Sequence, residues 1–263
     1  MGRYSRVVDL WQSYEITSAS DLDKYLDSFR ILFAYHSGKI ENNEITYQDT
    51  REIFANGRVV GYSGNPRTLF EQHNQKLCYE FLKEKIVNGE SVSVKLVKEI
   101  HGVLTGGTYD EYRYIVHGER PGEFKKHDYV TGIHEVGTAA ERVENDLTEL
   151  PAEVNAYQGR DVLKAATYLH ARFQFIHPFA DGNGRVGRTL MNYYLMTHNH
   201  PPLIVYDEDK QIYYECLQKY DEAEELDYLY RFFKYETEKT WGKTLELARG
   251  VRQKRRGLAD HGV

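Results

Sequence analysis

The sequence predicts an all-α fold, and two observations support this prediction. Apolar residues recur every three or four positions through most of the 263 residues, which is the spacing of one helix face. Residues that favour helix N-termini stand before several of these stripes. A strand pattern is weak throughout. Its best place is the Gly-, Tyr- and charge-rich segment from Tyr109 to Gly137, where we expect a turn and a short β-hairpin.

The first half of the chain is expected to form four helices. Ser20 is the predicted cap of the first helix, whose apolar stripe starts at Leu22 and ends near Gly38. Three glycines and a proline in 56–66 predict a loop. The other three helices are expected to begin near Thr46, Leu69 and Ser93.

The second half continues as helices. A capping box from Thr138 to Glu141 begins one of them, and Asp161 caps the next. Pro178 ends that helix because the residue before a proline avoids the helical region. Further helices are expected at 184–199, 211–219 and 225–248.

Composition argues against several classes of function. Lys and Arg number 34 against 40 Asp and Glu, a net charge of −6, so general nucleic-acid binding is not expected. The chain lacks an apolar run long enough for a membrane span, and its N-terminus lacks a secretory apolar region. Cys78 and Cys216 lie in helix-like patterns, as reduced core residues of a cytoplasmic protein do. We divide the chain into an N-terminal region 1–60, a core domain 61–248 and a basic tail 249–263 that is expected to be flexible.

The segment from His177 to Arg188, HPFADGNGRVGR, carries the strongest chemical signal. Its glycines allow a tight turn and expose backbone N–H groups at the start of a helix, where anions bind. Arg185 and Arg188 lie three positions apart, so two guanidinium groups can hold phosphate oxygens from one side of that helix. Asp181 offers an oxygen ligand for Mg²⁺, and His177 can accept a proton near neutral pH. Nucleotidyl and phosphoryl transfer need these parts.

This segment resembles the signature of the Fic family, HPFx(D/E)GNGRxxR, at every specified position, and weaker similarity extends from Ser37 to about Phe233. The resemblance implies a Fic-type helical bundle with one short β-hairpin, called the flap. It implies that His177 deprotonates a hydroxyl group of a target protein and that Asp181 holds Mg²⁺ between the α- and β-phosphates of ATP. The resemblance also implies an anion hole formed by Gly182, Asn183 and Gly184, with Asn183 on the α-phosphate. It implies that Arg185 and Arg188 bind the outer phosphates.

The activity implied by the resemblance is protein adenylylation. AMP moves from ATP to a Tyr, Thr or Ser hydroxyl group, and pyrophosphate leaves. Gly184 favours this reaction, since relatives that transfer phosphate resemble a version with lysine at this position. The implied partners are a target protein, the chain itself as a target, and a second copy in a homodimer; no membrane and no specific nucleic acid are expected. Other family donors, namely UTP, GTP and CDP-choline, remain open.

An upstream segment, Ser37-Gly-Lys-Ile-Glu41-Asn, resembles the family's inhibitory motif, (S/T)xxxE(G/N). This resemblance implies that Glu41 pairs with Arg188 and denies that arginine to the γ-phosphate, while Ser37 steadies the glutamate. ATP would then bind in a misaligned position. The competing interpretation is a solvated Ser/Glu pair one helical turn apart.

Two further segments resemble parts of the family's site. Tyr214 corresponds to the second ring of a tyrosine pair that lines the adenine pocket, although aromatic core packing would explain it equally well. His170 is interpreted as a hydrogen-bonded core histidine rather than a metal ligand. The flap, which would offer a strand edge to the target but is also compatible with an exposed loop, is expected to include Tyr129, Val130, Thr131, Gly132 and His134.

Two other functions remain open. The reverse enzyme, a de-AMPylase, would use Glu41 to position a hydrolytic water molecule. A non-enzymatic module would use the glycines and arginines only to hold an anion or a partner.

Overall fold

The all-α prediction is confirmed. A computed structural model describes residues 2–130 and 137–260, with side chains as far as residue 250, and these residues form helices and turns without a strand. The α-helices, numbered in chain order, are α1 (Arg3–Gln12), α2 (Ala19–Glu41), α3 (Tyr47–Asn56), α4 (Pro66–Val87), α5 (Val94–Thr105), α6 (Val143–Asn155), α7 (Val162–Ile176), α8 (Asn183–Thr197), α9 (Lys210–Ala223) and α10 (Leu226–Asp260).

Helices α7 and α8 lie at the centre of the fold. They pack against each other, and α8 is buried at nearly every position from Arg185 to Leu195. Helices α2, α4 and α5 cover α8, while α6, α9 and α10 cover α7. The turn between α7 and α8 therefore lies close to the core, and burial of these apolar faces stabilises its position.

Helix α2 differs from its prediction at both ends. Ser18, not Ser20, caps it: the Ser18 hydroxyl accepts from the Asp21 N–H, and the Asp21 side chain accepts from the Ser18 N–H in return. The helix also continues through Gly38 to Glu41. A methyl group at Gly38 would overlap the Gln72 amide, so this glycine allows α2 to pack closely on α4 instead of ending the helix.

Other boundaries also depend on tertiary contacts. The Thr138 hydroxyl donates to Asp146 instead of forming the predicted capping box, and α6 begins after a short 3₁₀ turn. Helix α1 was not predicted, and it packs against α10. Helix α10 continues past the expected end at residue 248 to Asp260, so its backbone includes most of the segment predicted as a tail.

Part of the predicted hairpin region is helical. Tyr112–Val116 forms a π-helical turn, whereas 131–136 lie outside the described residues, so the flap hairpin stays a prediction. Cys78 and Cys216 are both buried with free thiols, as predicted. Among the described residues, no helix is long and apolar enough to cross a membrane.

Candidate active site

The turn between α7 and α8 places the predicted base and the predicted anion site next to each other. His177 follows the last residue of α7 in the left-handed conformation, with φ 51° and ψ 60°. Gly182 is also left-handed, with φ 81°, and precedes α8. The Asn183 side chain closes the turn, because its amide group donates to the Phe179 carbonyl at 2.7 Å and accepts from the Phe179 N–H at 3.0 Å.

His101 of α5 stabilises this turn through hydrogen bonds and ring stacking. Its Nδ1 accepts from the Gly122 N–H at 2.8 Å, so Nε2 carries the proton and donates to the Asp181 carbonyl at 3.1 Å. The imidazole stacks on the Phe179 ring at 3.7 Å between centroids. Burial lowers the pKa of His101 to about 4, so it stays neutral. His101 therefore positions the backbone of Asp181.

Hydrogen bonds on both sides of His177 tie it to the two ends of the segment 125–138, which includes the residues predicted to form the flap. The Lys125 N–H donates to the Pro178 carbonyl at 2.9 Å, and the Thr138 N–H donates to the Ile176 carbonyl at 3.0 Å. Gly137 lies against the histidine, because a methyl group there would come within 2.8 Å of His177 Cβ. The two ends of this segment are thus fixed relative to the imidazole.

The environment of His177 keeps its imidazole neutral. Burial and the positive charge of Lys125 lower its pKa to about 4, against smaller opposing effects that include the carboxylates of Glu41 and Asp181. A neutral imidazole can accept a proton throughout the physiological pH range. The side chain thus has the protonation state that a general base needs.

Arg188 is fully buried and is held by the end of α2. Its Nε donates to the Ser37 hydroxyl at 3.0 Å, and its Nη2 donates to the Ser37 carbonyl at 3.0 Å and to Glu41 Oε1 at 2.7 Å. Gly184 faces the same carboxylate, since a methyl group at Gly184 would overlap Glu41 Oε1. Nε and Nη2 of the guanidinium group therefore both have protein partners.

Asp181 lies in a second charged cluster. Its carboxylate accepts from the Gly182 N–H at 2.7 Å and from Arg67, and Arg185 Nη2 lies 3.8 Å away. Burial acts to raise the pKa of this carboxyl group, but Arg185, Arg67 and Arg113 outweigh it and the pKa is lowered. A single ionised carboxylate fits Mg²⁺ where phosphates and water supply the remaining ligands of the ion.

The other residues predicted for the site differ in how far they are buried. Tyr213 is buried, and its hydroxyl lies 2.8 Å from His170 Nε2, so His170 is the core histidine that was predicted. Tyr214 is 42% exposed. Tyr129 donates to the buried Glu119 at 2.9 Å, and Val130 is 74% exposed. The other three flap residues lie outside the described residues: Thr131, Gly132 and His134.

Sequence reasoning missed three residues of the site: Arg67, Glu71 and His101. His101 is buried on α5 and interrupts an apolar helix face, whereas Glu71 is buried on α4 among other polar side chains such as Gln72 and Gln75. A polar residue on an apolar face is the signal that could have identified His101, because it needs a buried partner. Arg67 lies at the start of α4 and carries no comparable signal.

Part of this chain is similar in sequence to known proteins. Residues 91–195 match the family model described as the Fic/DOC family. A "Protein adenylyltransferase Fic" from Drosophila persimilis is 28% identical over 217 residues, which is 78% of this chain and 39% of that protein. One from Aedes aegypti is 28% identical over 213 residues, with 78% and 40% covered. The chain thus spans about two fifths of the length of these curated relatives.

Solved structures show the same fold. A Fic domain containing signaling protein from Bacteroides thetaiotaomicron superposes with a TM-score of 0.80 at 22% identity, covering 95% of this chain and 97% of that one. Fic-1 from C. elegans superposes with a TM-score of 0.76 at 22% identity, covering 96% and 72%. The described helices thus have the arrangement found in Fic proteins.

Proposed function

Because residues 91–195 match the model of the Fic/DOC family, we propose that the protein is an adenylyltransferase that moves AMP from ATP to a hydroxyl group of a target protein. The observation that carries the proposal is the α7–α8 turn. It places a neutral histidine at one end and two buried arginines on the helix that follows. The names of the relatives from Drosophila persimilis and Aedes aegypti support the same activity.

In the proposed reaction, His177 accepts the proton of the target hydroxyl group as its oxygen attacks the α-phosphorus of ATP. The bond between that phosphorus and the bridging oxygen breaks, and pyrophosphate leaves with the electron pair. Negative phosphates beside the imidazole raise its pKa from about 4, which strengthens it as a base when the donor is bound. A neutral base and a charged donor are thus brought together by one turn.

The following helix would bind the phosphates. Backbone N–H groups of Gly182, Asn183 and Gly184 would face the α-phosphate at the start of α8. The Asn183 side chain is bonded to the Phe179 backbone, so we assign its contact with the phosphate to the main chain. Arg185 and Arg188 would hold the outer phosphates. Asp181 would hold Mg²⁺, which would neutralise part of the negative charge of the phosphates.

Glu41 and Ser37 would make the resting enzyme autoinhibited. Both bind Arg188 through the hydrogen bonds described above, and the guanidinium group cannot serve the γ-phosphate while these contacts persist. The donor would then bind with its phosphates out of line for attack. Release of the C-terminal end of α2 would restore the arginine to the donor.

The remaining assignments are part of the same proposal. Tyr214 would line the adenine pocket, since its ring lies on the accessible side of α9. The flap beyond Tyr129 and Val130 would pair with an extended segment of the target, which presents a Tyr, Thr or Ser hydroxyl group. Targets would include the chain itself, and a homodimer is proposed on family resemblance. The buried free thiols of Cys78 and Cys216 support a reducing, cytoplasmic location.

One observation favours a second function, removal of AMP from a modified protein. The Glu41 side chain is 35% exposed, and its charge partly opposes the lowering of the His177 pKa. Glu41 is therefore near enough to interact electrostatically with the imidazole, and in this function it would position a water molecule for hydrolysis. In that case Glu41→Gly would abolish the release of AMP instead of stimulating its transfer.

Mass spectrometry tests the proposal. The Glu41→Gly variant is incubated with Mg²⁺ and ATP, UTP, GTP or CDP-choline in turn, in the presence of a cell lysate, and modified peptides are sequenced. We expect an AMP adduct on Tyr, Thr or Ser with ATP, and none when His177→Ala is added to the variant. Adducts that persist without His177, or none with any nucleotide, would refute the proposed function.

A further inference from the structure

Four charged side chains form a closed ring of alternating sign beside the α7–α8 turn. Arg67 Nε donates to Glu71 Oε1 at 2.9 Å, and Arg67 Nη2 donates to Asp181 Oδ2. Arg185 lies on the other side, with Nη1 at 3.2 Å from the same Glu71 oxygen and Nη2 at 3.8 Å from Asp181 Oδ1. Two guanidinium groups therefore separate two carboxylates, and the ring is neutral overall.

The ring occupies the carboxylate that was assigned to the metal. Asp181 Oδ1 already accepts from the Gly182 N–H, and Oδ2 is taken by Arg67. A cation that approaches Oδ2 therefore competes with the Arg67 guanidinium group and is repelled by its charge. Arg67 is able to move, because its side chain is 34% exposed on the first turn of α4, whereas Arg185 is 3% exposed.

We infer that Arg67 is a positioning residue that closes Asp181 to free divalent metal ions and opens it when a polyanionic donor arrives. The inference rests on the proposed function, because it takes Asp181 as the metal ligand and a nucleoside triphosphate as the donor. In the closed state the Arg67 guanidinium group stands in for the metal ion. In the open state Arg67 keeps its hydrogen bond to Glu71 and turns its Nη atoms toward the phosphates.

The charges of the ring determine whether the metal ion or the donor binds first. A free divalent ion at Asp181 would lie next to two guanidinium groups, and their repulsion is strong in a half-buried site. A bound triphosphate supplies negative charge that offsets this repulsion and gives Arg67 a new partner. Metal binding at Asp181 should therefore depend on the donor in the wild-type chain and much less in a chain without Arg67.

Binding of Mn²⁺ tests this inference directly. The full chain is titrated with Mn²⁺ in the absence of nucleotide, and electron paramagnetic resonance measures the Mn²⁺ that remains free. The Arg67→Gln variant is expected to bind Mn²⁺ at least about tenfold more tightly than the wild type. The substitution removes a positive charge that repels the ion and a side chain that competes with it for Asp181. Adding Asp181→Asn to that variant should abolish the gain. The control Lys85→Gln removes one positive charge from the same helix at its far end, where Lys85 pairs with Glu90 at 3.0 Å, and should leave the affinity unchanged.

An equal or weaker affinity for Mn²⁺ in Arg67→Gln would overturn the inference, as would an equal gain in Lys85→Gln. Arg67→Met, which keeps a long side chain without charge, serves as a second variant with the same expected gain should the glutamine variant fold poorly. Circular dichroism melting verifies that each protein is folded. Because Mn²⁺ binding requires no group transfer, a failure of this inference and a failure of the adenylyltransferase assignment are separate results.

Discussion

Replacement of Glu41 by glycine is expected to remove the charged partner of Arg188 and to increase AMP transfer to protein. Glu41 Oε1 accepts a charge-assisted hydrogen bond of 2.7 Å from a fully buried guanidinium group. Such a bond contributes about 1.5–3 kcal/mol. Since each 1.36 kcal/mol changes a rate about tenfold, the expected activation is roughly 10- to 150-fold. The Glu41 side chain is 35% exposed, so solvent screening favours the lower half of that range.

The assay is the initial rate of label transfer from α-labelled ATP to protein at saturating Mg²⁺ and ATP. Asp27→Gly is the matched control, because it places glycine in the same helix and removes an exposed carboxylate that pairs with Arg30 at 2.9 Å. It reproduces the cost of a helical glycine, about 1 kcal/mol, without touching Arg188. Glu41→Gln, which keeps a hydrogen-bond acceptor but no charge, should give an intermediate rate. Equal rates for the wild type and Glu41→Gly, or equal activation by Asp27→Gly, would refute this reasoning.

Two further predictions concern Gly184 and His177. Gly184→Ala should lower the free energy of unfolding by about 1–3 kcal/mol in the wild type but much less in the Glu41→Gly background, because the added methyl group overlaps the Glu41 carboxylate. Urea unfolding of the four proteins measures this, and additive losses would contradict it. The value of kcat/KM should stay constant between about pH 8 and pH 6 and fall only as the pH approaches 4, since the pKa of His177 is lowered to about 4 and its neutral form is the base. A decline centred near the ordinary histidine pKa of about 6.5 would contradict this assignment.

The parts of the fold that the sequence predicted well depend on local chemistry. Thr46 with Asp49, Ser93 and Asp161 each cap a helix through an N–H group within three positions, so neighbouring residues suffice to predict those helix starts. Gly38 misled the prediction because its role is set by Gln72 of another helix. Local sequence favours glycine as a helix end, and only the packing of α2 against α4 shows that the helix continues.

The candidate site also has one part that the sequence predicts and another part that depends on tertiary contacts. The residues from His177 to Arg188 are contiguous, so their spacing could be read directly from the chain. Arg67 and His101 reach the turn from helices α4 and α5, and their contacts with Asp181 arise only when those helices pack against α8. Such partners have no fixed spacing from the motif, which is why the sequence did not reveal them.

The central claim is that the α7–α8 turn presents the α-phosphate of ATP to a hydroxyl group beside His177. Two parallel incubations of Glu41→Gly, one with ATP labelled at the α-phosphate and one with ATP labelled at the γ-phosphate, test it most directly. We predict that protein acquires the α-label and not the γ-label, and that His177→Ala removes the signal. Transfer of the γ-label to protein would contradict the claim.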